Sequence, residues 1–276
     1  NAKTETYNTF TKHGLDLRSF QTALQKLSQT QKKILIMFNF PNNPSGYQPT
    51  FDEVKELGNI LTTTAQTGVK LVIICDEAYA GLYYEPSCYP ESVFGYINGL
   101  QKNILPVLLN GATKEFFVWG LRVAFISFGL EGFKNADIIE EVLESKIKGL
   151  IRAQVSSGPK ISQSMIVKAM SHLSLASQKA EKQKLLASRY FEVKKEVLKD
   201  NYQPVWEAYP FNSGYFMCLK MKHVNAHSLR TYLLDHYQLG IVSLNDTDIR
   251  IAFSSLEVSQ IPEVFSTIAK AAIELS

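Results

Sequence analysis

Apolar residues at Leu17, Phe20, Leu24 and Leu27 return every three or four positions, which predicts a helix over 15–27. Asp16 stands where its N-cap belongs. The period then changes. Residues 34–38 form an unbroken apolar run, short enough for a buried strand. It ends in Asn39-Phe40-Pro41-Asn42-Asn43-Pro44-Ser45-Gly46, whose density of Pro, Asn and Gly predicts an irregular, ordered turn. Thr50 and Glu53 read as a capping box opening a helix to about Ala65. Residues 71–75 predict a second buried strand, ending at Asp76-Glu77-Ala78-Tyr79, and further strands fall near 104–109 and 123–128, the latter also read as buried.

Beyond the strands the pattern turns helical. An amphipathic helix is expected over 136–152, a break at Ser156-Ser157-Gly158-Pro159, then helices over 161–171 and 175–198. The last part is made of short elements: strands about 203–208, 215–220, 239–243 and 248–253, with helices over 226–238 and 259–275. Alternating strands and helices predict an α/β fold, a mostly parallel mixed sheet with flanking helices, followed by a smaller C-terminal α/β domain. The expected division is 1–157 for the first body, 158–190 for connecting helices and 191–276 for the small domain. In open α/β sheets ligands bind beyond the carboxyl ends of the strands, and Asn43, Asp76, Tyr79 and Lys114 all fall at or just past such ends.

Composition narrows the class. The chain has 276 residues, 45% hydrophobic and 20% charged, which is globular usage. A net charge of +3, spread along the chain, argues against nucleic-acid or membrane-surface partners. Three widely separated cysteines, Cys75, Cys88 and Cys218, fit reduced thiols in a cytoplasmic protein better than a disulfide framework. No apolar run approaches the roughly 18 residues of a membrane span. The five histidines suggest no metal set, His223 and His227 lacking further ligands nearby.

The stretch Asn110-Gly111-Ala112-Thr113-Lys114 carries the strongest chemical suggestion. A lysine at the mouth of a sheet is poorly placed for packing but well placed to attack a carbonyl. Eight residues later Arg122 offers a rigid fork of donors suited to a phosphate. Each residue also has an ordinary reading: Lys114 a solvated strand end, Arg122 an ion-pair partner, Asn43 a turn former, Asp76 a cap, Tyr79 a packed aromatic.

Four motifs in order change the balance: Asn43-Pro44-Ser45-Gly46, Asp76-Glu77-Ala78-Tyr79, Lys114 with Arg122, and Ile249-Arg250-Ile251-Ala252-Phe253. Together with Phe211-Asn212-Ser213-Gly214-Tyr215-Phe216, they make the whole chain resemble the class I/II aminotransferases, pyridoxal-phosphate enzymes of the aspartate aminotransferase fold. The resemblance implies that Lys114 forms a Schiff base with pyridoxal 5'-phosphate and then shuttles the Cα proton. It implies that Asp76 pairs with the pyridinium nitrogen, while Asn43 and Tyr79 hydrogen-bond the ring's phenolic oxygen. Arg122 would clamp the phosphate, with Thr113 as the nearest hydroxyl, and Arg250 would bind the substrate carboxylate. Glu77 is expected to be structural. Amino acid and 2-oxo acid substrates, a homodimer and transamination follow from the same likeness.

The chain also departs from the family. Gly111 stands where a phosphate-binding serine is common, Ala124 replaces a usual glycine, and the stretch from Ile241 to Arg250 is short. The family's phosphate-binding turn and its ring-stacking aromatic do not precede Asn43, and the chain starts at Asn1. The expectation is therefore a chain lacking an N-terminal portion, on the order of a hundred residues. Three other functions stay open: a C–S lyase on the same scaffold, the aminotransferase-like effector domain of a transcription regulator, and a cofactor-free remnant used for assembly.

Overall fold

A computed structural model describes residues 3–276. The first helix, α1 (Leu17–Ser28), starts at Asp16, whose carboxylate accepts from the Ser19 N–H, and buries Phe20 and Leu24. Strand β1 (Lys33–Asn39) follows, then α2 (Phe51–Gln66). The capping box at its start is complete. Thr50 Oγ1 accepts from the Glu53 N–H, and Glu53 Oε2 accepts from the Thr50 N–H at 2.8 Å. The same carboxylate accepts from Leu15 N–H at 2.7 Å and the Tyr47 hydroxyl at 2.8 Å, tying three segments together.

Strand β2 (Lys70–Asp76), the short helix α3 (Val93–Ile97) and β3 (Ile104–Gly111) lead into a single turn, α4 (Ala112–Glu115). Strand β4 (Ala124–Phe128) closes the first sheet, whose order is β1-β2-β3-β4. The first three strands are parallel and β4 runs antiparallel to β3. Ile34, Ile36 and Phe38 point to the helix-covered side with Leu71, Ile73 and Ile104, forming one core with α1 to α3. Each such side chain contributes about 1.5–3 kcal/mol when fully removed from water.

Two expectations need correction here. The 34–38 strand is buried on one face only, because Leu35 and Met37 are 63% and 58% exposed. The 123–128 segment is an exposed antiparallel strand rather than a buried one; four of its five residues are solvent-facing. The first run is apolar throughout and the second apart from Ser127, yet among the described residues β1 is covered on one side only and β4 is exposed on both.

Helices α5 (Ala136–Gln154), α6 (Lys160–Met170) and α7 (Leu175–Val197) come next. α5 has the amphipathic pattern expected of it but none of its residues is buried. A second, antiparallel sheet then forms from β5 (Trp206–Ala208), β6 (Met217–Met221), β7 (Val242–Ser243) and β8 (Asp248–Ile251), in the order β5-β6-β8-β7. Helix α8 (Ala226–Tyr237) separates β6 from β7, and α9 (Ile261–Glu274) ends the chain. Leu186, Tyr190 and Val193 of α7 join Met217, Leu219 and Phe265 in the second core, which also takes in Tyr79, Leu82 and Tyr84 from beyond β2. No described helix is long and apolar enough to cross a membrane, and the three cysteines are buried free thiols.

Candidate active site

The first sheet sets the site's floor. Asn39 and Asp76 are register partners, and Asp76 pairs in turn with Leu109, so β1 and β2 end on one line and β3 runs on past it to Gly111. The Asp76 carbonyl accepts from the Phe40 N–H at 3.1 Å and the Asn39 side-chain amide at 3.2 Å. Its carboxylate accepts only from the Ala78 N–H, at 3.2 Å, leaving an oxygen free among the described residues. Glu77 turns the other way. It is 5% exposed and accepts from the Ser92 hydroxyl at 2.9 Å and the Phe94 N–H at 3.0 Å. Burial pushes its carboxyl pKa up, and those hydrogen bonds pull it part of the way back.

The turn after β1 is built by asparagines. Asn39 Oδ1 accepts from the Asn43 N–H at 2.7 Å, and Asn42 Oδ1 accepts from Ser45 through both N–H and hydroxyl. Gly46 has φ +75° and lies against the Phe216 carbonyl, with no room for a Cβ. Its own carbonyl accepts from the N–H groups of Asn212 and Ser213, both at 2.9 Å. Asn212 and Gln48 exchange two further bonds at 2.7 and 2.9 Å. This seam fastens the turn to the loop preceding β6. It also places Asn43 against β8, where Arg250 Nη1 donates to Asn43 Oδ1 at 3.0 Å. The Arg250 guanidinium lies 4.3 Å from the Phe216 ring centroid, and its Nε is buried without a partner.

Lys114 arrives three residues after β3. α4 has no side-chain N-cap and is held instead by its neighbours. Glu115 pairs with Lys179 of α7 at 3.0 Å, and Lys179 also sits over the Phe116 ring at 4.9 Å. The Lys114 ammonium lies 5.6 Å from the Tyr79 ring centroid and 5.9 Å from that of Tyr215. Among the described residues it makes no ion pair. Tyr79 is buried, which raises its phenol pKa; the Arg250 charge opposes that rise and the Asp76 carboxylate adds to it.

Contacts therefore run from Lys114 to Tyr79, from Tyr79 to Phe216 (6.0 Å between ring centroids), from Phe216 to Arg250 and from Arg250 to Asn43. Asp76 stands at the strand end three residues before Tyr79. Five of the sequence candidates thus share one neighbourhood. Thr113 and Arg122 flank Lys114 on the turn that follows β3. The Thr113 carbonyl accepts from the Val118 N–H at 3.1 Å, and Arg122 is exposed at φ +55°, donating to the Trp119 carbonyl at 3.2 Å. Neither touches the Lys114 amine in the contacts found. Tyr215 and Phe216 were missed as site residues. The signal was present in the Phe211–Phe216 motif, but their contacts come from the second sheet's approach to α4, which no local pattern specifies.

The comparisons with known proteins follow this geometry. A probable aspartate aminotransferase of Methanocaldococcus jannaschii is 27% identical over 128 residues, 46% of this chain and 31% of that protein. A (5-formylfuran-3-yl)methyl phosphate transaminase of the same organism is 32% identical over 145 residues, 52% of this chain and 32% of that protein. The match thus spans about a third of each curated relative. Among solved structures, an aminotransferase from Anaerococcus prevotii superposes with a TM-score of 0.80 at 20% identity, covering 98% of this chain and 64% of that one. The alpha-aminoadipate aminotransferase of Thermus thermophilus, solved with N-(5'-phosphopyridoxyl)-L-leucine, gives 0.72 at 17% identity, covering 96% and 64%. At such identities the superpositions speak for the fold. The sequence itself matches the aminotransferase class I and II family over residues 2–268, and the chain belongs to that family.

Proposed function

We propose that this chain is part of a pyridoxal-phosphate-dependent aminotransferase that moves an amino group between an amino acid and a 2-oxo acid. One observation carries the reading: the Lys114 amine, free of any carboxylate partner, stands in the same neighbourhood as unfilled groups of the right chemistry. These are the free oxygen of Asp76, the Tyr79 hydroxyl and the orphaned Nε of Arg250. Of these groups the Arg250 Nε is buried without a partner, which is costly, so it fits a site awaiting an acceptor; Asp76 and Lys114 are half-exposed and open to a ligand. The set suits the ring end of pyridoxal phosphate. When bound, that cofactor supplies an electron sink for charge developing at the substrate Cα.

The residues divide the work as follows. Lys114 holds the aldehyde end and later carries a proton on Nζ. Asp76 keeps the ring nitrogen protonated, and Asn43 and Tyr79 donate to the ring's phenolic oxygen. Arg250, stacked on Phe216, offers Nε and its second Nη to the substrate carboxylate and so fixes the amino group for transfer. Thr113 and Arg122 are assigned to the phosphate. The reading includes a homodimer, the general assembly of the family, and a reducing, cytoplasmic compartment suited to three buried thiols.

The test is chemical. Pyridoxal phosphate followed by borohydride should modify Lys114, found by peptide mapping, and Lys114→Ala should remain unmodified at that peptide. Modification confined to exposed lysines would overturn the reading. With amino acid present, release of pyruvate and ammonia instead of transfer to a 2-oxo acid would favour a C–S lyase.

A further inference from the structure

The turn that delivers Lys114 has little of its own to hold it. α4 is a single turn with no side-chain N-cap, and a helix this short does not persist without outside contacts. Two such contacts come from the helices that follow the sheet. Ile166, the buried residue of α6, packs with Ala112 and Val123 at the root of the turn, and Phe116 lies against the same cluster. Lys179 of α7 takes the two residues directly after Lys114: its Nζ donates to Glu115 at 3.0 Å and lies 4.9 Å from the Phe116 ring centroid. α7 makes a second grip further along. Arg189 donates to the Ser254 carbonyl and pairs with Glu257 at 2.9 Å, which fixes the bend that follows β8 and Arg250. At about 1.5 Å per residue, the two grips stand about 15 Å apart along one helix axis.

We propose that Lys179 is a positioning residue for the Lys114 amine, and that through it α7 sets the separation between that amine and Arg250. The proposal rests on the reading of Lys114 as the reactive lysine. Glu115 and Phe116 follow Lys114 without a break. A cation that holds both therefore fixes the rotation of the turn about its own axis, and with it the direction in which the lysine stem leaves the backbone. A contact at one point would leave that rotation free. The ion pair is partly exposed, so it adds little to the stability of the whole chain. Its effect falls on alignment, to which group transfer is far more sensitive than folding is.

The full chain is titrated with pyridoxal phosphate and fixed with borohydride at each concentration. Mass spectrometry follows labelling of the Lys114 peptide against that of exposed Lys102, which should label without saturating. Lys179→Met removes the charge and keeps most of the stem. The concentration giving half-maximal Lys114 labelling should rise about two- to fivefold, with the urea midpoint nearly unchanged. Lys179→Arg keeps both the ion pair and the cation over the ring and should restore the original concentration. Lys194→Met removes another ion pair of the same helix, the one to Glu85, and should leave the titration where it was. Lys179→Gln repeats the measurement should methionine lower the urea midpoint. An unchanged half-maximal concentration in the folded methionine or glutamine variant overturns the proposal. So does an equal rise in Lys194→Met, which would make the effect one of helix packing, and so does an arginine variant as weak as methionine. If the unaltered chain takes no cofactor at Lys114, the proposed function itself fails, and that failure shows before any variant is compared.

Discussion

Glu77 sits beside Asp76 but belongs to the core, and its chemistry can be checked through pH. Burial raises its carboxyl pKa above the unfolded value, although Ser92 and Phe94 donate to it. Below the unfolded pKa, roughly 4.3, both states hold the proton and the residue's contribution is fully present. As pH rises through the higher folded pKa, the native state loses a proton it prefers to keep, and stability is lost. Glu77→Gln preserves an oxygen for both donors and does not titrate. Urea midpoints should therefore move in favour of the variant as pH rises above about 4. A midpoint difference that stays flat would show that the Glu77 pKa does not change on folding, and one that favours the unaltered chain at the upper end would show that Glu77 is stabilised as a carboxylate. At this scale the placement of the candidates was most legible at strand ends, as for Asp76 and Lys114. It was least legible for Tyr215 and Phe216, whose partners lie about a hundred or more positions away in the chain or depend on another element's approach.

The turn that follows β1 shows what an element can and cannot announce. Its Pro, Asn and Gly residues predict an ordered irregular segment, and the asparagine side chains do build one. The pattern gives no hint that Gly46 would touch the backbone of a loop 170 positions further on. Gly46→Ala combines a left-handed φ with overlap against the Phe216 carbonyl and a contact of 2.8 Å with the Ser213 carbonyl oxygen. The expected cost is about 2–4 kcal/mol, the sum of the backbone penalty and overpacking against atoms that cannot swing aside. Urea unfolding measures it directly. Because the same seam brings Asn43 to Arg250, the variant should also lose order there, whereas Gly68→Ala, at φ +94° with open space around it, tests the backbone penalty alone. Equal losses in the two variants would mean that the seam adds nothing. The capping box of α2 lies at the opposite extreme, since its partners are three residues apart and were fully readable.

On the scale of the whole molecule, the first sheet has one face under helices and one face largely open. Register places Leu35, Val72 and Leu105 in one row and Met37, Ile74, Val107 and Phe128 in the next, with Ile126 paired to Leu109 beyond them. Leu35, Met37 and Ile126 are 63%, 58% and 42% exposed. An apolar run can tell that a strand is suited to burial on both sides, but not which of its faces the described residues cover, and this is why the 34–38 and 123–128 segments were read as buried. A contiguous apolar face of this kind drives association in water. The chain as given should therefore scatter light and bind an apolar fluorescent dye in a concentration-dependent way. Replacing two of the most exposed residues with opposite charges, Leu35→Glu with Met37→Lys, should reduce both signals. Neither residue makes buried contacts on the helix side, so the unfolding free energy from urea titration should change by no more than about 0.5 kcal/mol. Helix α5 supplies the control, because Ile138 and Val142 are also exposed but lie outside the sheet. If Ile138→Glu with Val142→Lys lowers the signals and the sheet pair does not, association runs through the helix and the sheet face is passive.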